Sequence, residues 1–267
     1  MQSKMKLLSA ASALAIGTLL SVPVMAAAPV GFAGVLGANY SNTSCSGCGS
    51  ANGWGLNGQG AFGLGMSDLG AEIDGGVAGS FESGGGTSAG VGGNIFWAPA
   101  QGRLGATVDW NHISIPGPDG DVTSYGGFGE FYASNQFTLG GNAGGLHLSS
   151  SGASVNGMYL NGGGTLYAMP DLGITGSIGY NHIGKGFGNV MTYSIGGEWL
   201  VSETTPISLS AGYTNVDLPH GAPSLNVFTL GVKFYAGGGA MSLVDRHRNG
   251  ALGPLTQPIL TGLRSVF

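Results

Sequence analysis

The chain has 267 residues, of which 55 are Gly and only 8% are Asp, Glu, Lys or Arg, against roughly 25% charged residues in soluble globular domains. So few charges cannot cover the surface of a soluble domain of this length, and a net charge of −5 offers no basic surface for nucleic acid. With 42% hydrophobic residues the chain is not a bundle of apolar helices either. Its polarity must come from Asn, Ser, Thr and the backbone.

The first residues have the pattern of a secretory signal peptide. Two lysines precede an apolar run from Leu7 to Val24, and small residues follow. We expect cleavage after Ala26, which removes residues 1–26; the Ala-rich exit argues against the alternative, a membrane anchor. The rest of the chain has six basic residues against 13 acidic ones, a net charge of about −7.

Beyond residue 28 the dominant pattern is an alternation with a period of two, which is typical of strands with two unlike faces. No run of about 20 apolar residues remains to form a membrane helix, and Gly destabilises helix interiors by roughly 1 kcal/mol relative to Ala. In "NVFTLGVKFYA" (226–236) one face carries small residues with Lys233 and Tyr235. The other face is apolar and consists of Phe228, Leu230, Val232 and Phe234.

Large anchor residues recur at spacings of 33 to 35, which fits a unit of two strands with one short turn and one longer loop. The anchors are Phe96, Phe131, Leu166, Trp199 and Phe234. We predict twelve strands, at 30–41, 53–66, 69–82, 88–98, 102–113, 122–133, 137–148, 155–168, 172–183, 190–202, 206–216 and 225–236. The connections are predicted to be short at one end and long at the other, and the first long loop holds the two cysteines.

These features resemble Gram-negative outer-membrane β-barrels, which combine a signal peptide, an even number of alternating strands, unequal connections and aromatic girdles. The resemblance is architectural and covers residues 30–236. It implies an all-β fold: a transmembrane antiparallel up-and-down barrel of about 12 strands over residues 27–236, in the cell outer membrane, in contact with its lipids and lipopolysaccharide. In lipid a sheet must close on itself, because every backbone polar group needs a partner. The alternative, a soluble propeller or solenoid, would need more surface charge.

The last predicted strand resembles the signal that the barrel-insertion machinery reads in this family, which implies that machinery as a partner. The matching residues are Thr229, Gly231 and Phe234. Phe267 also resembles the signal, but one strand there would make the count odd. We therefore predict that 237–267 is a periplasmic tail, expected to be solvated, with contact to peptidoglycan or folding into the barrel mouth as alternatives.

Charged residues collect on the face predicted to line the lumen. They are Glu72, Asp74, Arg103, Asp109, Glu130, Glu198 and Lys233. Some should pair, because like charges alone in a narrow barrel are costly; a pore lining and structural ion pairs both stay open. If the lumen holds water, its excess of acid would favour cations over anions.

Aromatic residues near both strand ends are predicted to form girdles at the two membrane interfaces. One set is Trp97, Phe131, Tyr132, Tyr167, Trp199, Phe234 and Tyr235. The other set is Tyr40, Trp110, Tyr180 and Tyr213.

Two His-x-Ser pairs lie near one rim, at 112–114 and 147–149. Residues i and i+2 of a strand share a face, so each pair could meet, and the pairs resemble the His-x-Ser of outer-membrane lipid A deacylases. The sequences around the pairs share little with each other, and no acidic partner can be assigned. We interpret His112 and His182, both in the repeated "NHI", as interfacial rim residues. No enzyme activity, metal site or cofactor is predicted.

Cys45 and Cys48 are the two cysteines of the chain. On the outer side of the cell, neighbouring cysteines tend to oxidise, so we predict a disulfide within one loop; a free dithiol or metal pair is the alternative. A zinc site usually needs four ligands, and a thioredoxin-like motif needs a βαβ unit, which the pattern lacks.

Twelve strands lie between the filled eight-stranded barrels and the open 16-stranded porins, and the small lumen-side residues leave space. The sequence therefore predicts an outer-membrane passive diffusion channel, porin-like, for small solutes. A structural or adhesive barrel with a closed lumen is the second hypothesis, and a lipid hydrolase is the third.

Overall fold

The computed structural model describes residues 31–47, 49–65, 68–82, 85–114, 119–150, 152–184, 186–237, 241–250 and 253. Over these residues twelve antiparallel strands close into one barrel, in which each strand pairs with its neighbours in the chain and the first pairs with the last. The predicted fold class and strand number are confirmed. The predicted signal peptide lies outside the described residues.

Six strands are longer than the alternation predicts, five have the predicted length and the third is shorter. They are β1 Phe32–Cys45, β2 Gly49–Gly63, β3 Leu69–Ser80, β4 Thr87–Trp97, β5 Gly102–Ser114, β6 Gly120–Ser134, β7 Phe137–Ser150, β8 Ala153–Met169, β9 Leu172–Ile183, β10 Gly188–Leu200, β11 Ile207–Asp217 and β12 Leu225–Ala236.

Alternation places the apolar residues on the outside of the barrel. On β5, for example, Leu104 and Val108 are more than half exposed, whereas Thr107 and Asp109 between and beside them are buried. Such an apolar outer surface would be unstable in water but suits the hydrocarbon of a bilayer. The low charge of the chain follows, because charged side chains are confined to the interior and the ends.

The connections at the two barrel ends are of similar length, contrary to the prediction of short turns opposite long loops. At the end that holds both termini of the barrel the connections are 64–68, 98–101, 135–136, 170–171 and 201–206. At the opposite end, here called the outer end, they are 46–48, 81–86, 115–119, 151–152, 184–187 and 218–224. The strands continue into segments that their Gly, Ser and Asn content favours as loops.

The predicted long cysteine loop is a hairpin turn of residues 46–48, because β1 and β2 remain paired up to Cys45 and Gly49. Cys45 ends β1 and is disulfide-bonded. Cys48 lies outside the described residues, so its pairing with Cys45 stays a prediction.

A short helix, α1 (Leu243–Asn249), follows the barrel. The chain leaves β12 at Gly237, whose φ of +79° and Cβ position, 2.1 Å from the carbonyl oxygen of Phe32, permit only glycine. Ser242 caps the helix by accepting a hydrogen bond from the backbone N–H of Asp245. Within the described residues no helix is long and apolar enough to cross a membrane.

The outer end carries one side-chain pair in each of three consecutive hairpins. The histidines are spaced 35 residues apart, and each is the register partner of an Asp or Asn on the next strand. The pairs are His112 with Asp121, His147 with Asn156 and His182 with Asn189. Each imidazole Nδ1 lies 2.7–2.9 Å from the partner's Oδ1. All three pairs are on the lipid-facing side of the barrel at the rim; the interpretation of His112 and His182 as interfacial residues stays a prediction.

Candidate functional site: the barrel interior

Helix α1 lies inside the end of the barrel that holds the termini. Leu243 is fully buried and packs in a cluster with Val35, Leu200 and Tyr235. The backbone N–H of Val244 donates to the carbonyl oxygen of Pro170, in the β8–β9 turn, at 3.1 Å. The expectation of a solvated tail is therefore wrong for residues 243–249; folding into the barrel mouth, the alternative, is what the structure shows.

Arg248 fixes the helix to β6 and β7. Its guanidinium, fully buried, donates to the carbonyl oxygen of Ser134 at 2.6 Å and to Oγ1 of Thr138 at 3.2 Å. It also lies over two aromatic rings, 4.8 Å from the centroid of Tyr132 and 5.6 Å from that of Tyr167. A planar fork between two rings is a geometry that Arg provides and Lys does not.

Arg103 holds the same helix from β5. Its Nη2 donates to the carbonyl oxygens of Arg248 and, at 3.1 Å, Gly250, which are among the carbonyls that a helix end leaves without intrahelical partners. Among the described residues, three buried guanidinium nitrogens at this junction have no hydrogen-bond partner: Nε and Nη1 of Arg103 and Nη1 of Arg248. The helix is thus closely packed but incompletely satisfied.

Glu198 is the centre of a hydrogen-bond network on the opposite side of α1. Its carboxylate accepts from Lys233 Nζ, Ser208 Oγ and Tyr235 Oη, each at 2.5 Å. His247 of α1 joins the network, with Nε2 3.6 Å from a Glu198 carboxylate oxygen. A buried carboxylate with a cation and several donors is a satisfied structural group.

A second group of carboxylates lies further along the barrel wall, on β3 to β6. We call it the acidic ledge: Glu72, Asp74 and Asp109, with Asn94, Thr107 and Ser124, all buried. The Asn94 amide donates to both Glu72 and Asp74 at 3.2 Å. The Thr107 and Ser124 hydroxyls donate to Asp109 at 3.1 and 3.3 Å.

Beyond Glu198 and Lys233, the opposite wall carries small hydroxyl side chains. We call it the hydroxyl wall; its members on β9 to β12 are Thr175, Ser177, Ser194, Ser210, Thr214 and Thr229. They alternate with lipid-facing residues such as Ile178 and Ile195 and therefore point inward, yet each remains partly exposed. An inward side chain that keeps accessible surface borders space inside the barrel.

All seven charged residues predicted to line the lumen belong to inward-facing positions, and six of them are buried; Lys233 is partly exposed. Whether they act as a pore lining stays a prediction. The structure brings Glu72, Asp74 and Asp109 together, and separately gathers Glu198 with Lys233.

Three residues assigned to the aromatic girdles are in the interior instead. Tyr132, Tyr167 and Tyr235 are 2–6% exposed and hydrogen-bond to Glu130, His247 and Glu198. Adjacent strand residues face opposite sides, so Tyr132 and Tyr235 cannot share a face with the neighbouring Phe131 and Phe234. The other predicted girdle residues are on the outer face, and their role at the interfaces stays a prediction: Tyr40, Trp97, Trp110, Phe131, Tyr180, Trp199, Tyr213 and Phe234.

The α1 residues that fill the barrel end are absent from the predicted site. Arg246, His247 and Arg248 follow no strand pattern, and the sequence signal that exists is a Ser cap before a seven-residue helix. The polar partners on the ledge were also missed: register places Asn94 opposite Glu72, and alternation along β5 places Thr107 on the same side as Asp109.

No group of three or more His, Cys, Asp and Glu within the described ranges is arranged to hold a metal ion. At the rim, His112 has a carboxylate partner that the sequence did not reveal, with Nδ1 2.9 Å from Oδ1 of Asp121. The hydroxyl of Ser114 donates to Asp119 at 2.7 Å, and His147 pairs with Asn156 rather than with an acid.

Neither a protein-family model nor a curated protein sequence matches the chain. Solved structures do match over most of its length. The translocator domain of the autotransporter NalP from Neisseria meningitidis aligns with a TM-score of 0.53 and 12% identity, over 77% of this chain and 88% of that chain. The NanC porin aligns with a TM-score of 0.51 and 11% identity, and the KdgM porin with 0.50 and 10%; each alignment covers 74% of this chain and 98% of the other. The chain thus has the fold of the outer-membrane β-barrel proteins.

Proposed function

We propose that the protein is an outer-membrane diffusion channel for small hydrophilic solutes, and that α1 closes its periplasmic mouth in the conformation described. The observation that carries the proposal is the hydroxyl wall. Its side chains face inward but keep accessible surface, which a barrel filled by its own side chains would not leave.

The chemistry of this wall suits the passage of small polar molecules. Hydroxyl groups both donate and accept hydrogen bonds, so they can replace part of the water around a solute without binding it tightly. Weak binding at several positions is what conduction requires. Two of the structural neighbours are porins, which supports the proposal at the level of fold.

Closure by α1 follows from the packing at the barrel end. The cavity between α1 and the Glu130–Tyr167 side has a volume of about 10 Å³, at or below the space that one water needs. This side of α1 is therefore too tightly packed to admit water, and the proposal expects solutes to pass only when α1 moves. Nη1 of Arg248 finds no hydrogen-bond partner among the described residues, a cost of the docked conformation that favours release of α1.

Single-channel recording in planar bilayers tests the proposal. The purified full-length protein should give discrete conductance steps, and Ser194→Trp on the hydroxyl wall should reduce the step size. The matched control is Ile195→Trp, the next residue on the lipid-facing side, which should leave the step size unchanged. Absence of steps in the wild type and in variants that release α1 would instead support a structural or adhesive barrel with a closed lumen.

The carboxylate of Asp121 beside His112 keeps a lipid hydrolase as a second candidate. A nucleophile needs its base within hydrogen-bond reach, and here Ser114 is engaged by Asp119. Release of fatty acid from outer-membrane lipids, lost in His112→Ala and retained in His147→Ala, would establish it.

A further inference from the structure

We infer that the lumen passes uncharged polyhydroxy solutes, such as simple sugars, in preference to ions, and that a strip of carboxamides on β1 and β2 binds these solutes in transit. This inference rests on the proposed channel function and adds to it the chemical class of the solute. The carboxamide strip consists of Asn39, Asn57 and Gln59, all on the inward face of their strands.

The first observation is that the accessible part of the inner wall carries very little charge. Over the described strands, six of the seven charged residues on the inward face are buried. The seventh, Lys233, is partly exposed, but its Nζ donates to the carboxylate of Glu198 at 2.5 Å. The acid that the sequence places on the inward face therefore does not reach the accessible surface of the lumen.

The second observation is that burial divides the inner wall into two sides. On β3 to β8 the acidic ledge is buried, and so are the inward amides of Asn142 and Asn161. On β9 to β12 the hydroxyl wall keeps accessible surface, and on β1 and β2 the carboxamide strip does so too, with Asn57 exposed. The open part of the lumen therefore borders the hydroxyl wall and the carboxamide strip.

Two carboxamides lie flat against the wall because a glycine is opposite each of them. Gly37 is the register partner of Asn57, and Gly55 is the register partner of Asn39. A Cβ at Gly37 would collide with Oδ1 of Asn57, and one at Gly55 would lie 2.5 Å from Oδ1 of Asn39. Each amide thus folds across the opposite glycine, a close approach that a larger residue would prevent.

The carboxamide strip continues the hydroxyl wall where β12 meets β1. Gly231 of β12 is the register partner of both Ser210 on β11 and Asn39 on β1. A Cβ at Gly231 would lie 2.7 Å from Oγ of Ser210 and 3.6 Å from Cβ of Asn39. A hydroxyl and a carboxamide therefore flank the same bare glycine, and a solute at this position can contact both.

Groups that both donate and accept hydrogen bonds suit a solute that carries several hydroxyls. The structure gives the three carboxamides no hydrogen bond to another described residue, so a sugar can exchange part of its water for them. Each contact is weak, as passage requires. An ion would lose hydration without meeting an opposite charge, and desolvation of a charge costs far more than desolvation of a hydroxyl. The lining thus favours a neutral solute over a charged one of the same size.

Uptake into proteoliposomes tests the inference with three radiolabelled solutes of similar size. Glucose should enter faster than gluconate, which is anionic, and faster than glucosamine, which is cationic. Uptake of either charged solute as fast as glucose would overturn the inference and retain the channel. The same series is measured with Arg103→Ala, which weakens the docking of α1. No uptake of any solute by either protein would refute the channel and the inference together.

A charge placed on the strip tests where the solutes pass. Asn57→Asp should raise the uptake of glucosamine relative to gluconate about fivefold, because the new carboxylate would face the accessible lumen. Asp74→Asn is the matched control: it removes a charge from the buried ledge and should leave this ratio unchanged. An unchanged ratio in Asn57→Asp, or an equally large change in Asp74→Asn, would contradict the inference.

A third variant tests the hydrogen bonds themselves. Asn57→Leu keeps a side chain of similar size but neither donates nor accepts, and glucose uptake should fall about threefold, the effect of one lost hydrogen bond. The ratio of glucosamine to gluconate uptake should stay that of the wild type. Glucose uptake equal to that of the wild type would show that the strip does not bind the solute.

Discussion

The α1 end and the acidic ledge both bury carboxylates in the same barrel, but with different partners. At the α1 end, Glu198 receives Lys233, Tyr235 and Ser208 at 2.5 Å. On the ledge, Asp109 receives hydroxyls of Thr107 and Ser124 at 3.1 and 3.3 Å. The Glu198 carboxylate thus meets a cation and two hydroxyls at short distances, whereas the hydroxyls that donate to Asp109 lie further away. Two carboxylates of similar burial therefore differ in the kind and distance of their donors.

The largest effect is expected at the α1 end. Arg103→Ala removes two charge-assisted hydrogen bonds to α1, each worth about 1.5 kcal/mol. The undocked population should therefore rise on the order of a hundredfold. The rate of tryptic cleavage after the buried Arg246 and Arg248 measures the undocked population. Arg103→Lys keeps one charged donor, and its cleavage rate should lie between those of the wild type and Arg103→Ala. An unchanged cleavage rate would show that α1 is held from elsewhere.

The next effect compares the Glu198 carboxylate with the carboxylates of the acidic ledge. Glu198→Gln leaves Lys233 without its carboxylate, and we expect the free energy of unfolding to fall by about 2 kcal/mol, less than for a fully buried pair because Lys233 keeps part of its water. The double variant Glu198→Gln/Lys233→Met should recover most of this. Equilibrium unfolding in denaturant checks both, and an equal loss in Asp109→Asn would abolish the distinction drawn between the two regions.

A smaller effect concerns the direction of the tyrosines. Tyr235→Phe deletes the hydrogen bond to Glu198 and should cost about 1 kcal/mol, whereas Phe234→Leu on the outer face should cost less than about 0.5 kcal/mol in detergent. The same denaturation experiment compares them. A larger loss of unfolding free energy in Phe234→Leu than in Tyr235→Phe would place Tyr235 at the membrane interface, as predicted from the sequence.

Gly92→Ala should cost still less in stability, about 0.5 kcal/mol, because the carboxylate ends of Asp74 and Asp109 can swing away from the new methyl group. Gly93→Ala is the control, since its Cβ would face outward with its nearest neighbour at 3.9 Å. Equilibrium unfolding in denaturant compares the two variants. A loss in Gly92→Ala well above about 0.5 kcal/mol would show that the two carboxylates cannot move away.

The last prediction concerns the disulfide in the turn at 46–48, which lies away from the barrel interior. If Cys45 and Cys48 form the predicted disulfide, thiol titration of the native protein should find no free thiol. Two titrating thiols would favour the free dithiol.

Alternation was sufficient to predict the barrel, since apolar residues two apart specify a lipid-facing side wherever they recur. Alternation also predicts the correct face for Tyr235, because residues 233 and 235 lie on the same side of the strand. The assignment of the adjacent Phe234 and Tyr235 to one girdle ignored this alternation. The ledge could not be predicted, because the approach of Asp74 to Asp109 depends on register across three strands. The docking of α1 depends on contacts between residues more than 100 positions apart, such as Arg248 with Ser134, which no local pattern records.

The repeated His–Asx pairs at the outer rim have a consequence for how this barrel is built. Each pair joins the two strands of one hairpin and sits beside its turn, so each hairpin carries its own register mark. A unit of about 35 residues is therefore self-specifying. We expect that duplicating or deleting one such unit leaves the remaining strands in register, so that the circumference of the barrel changes in steps of two strands.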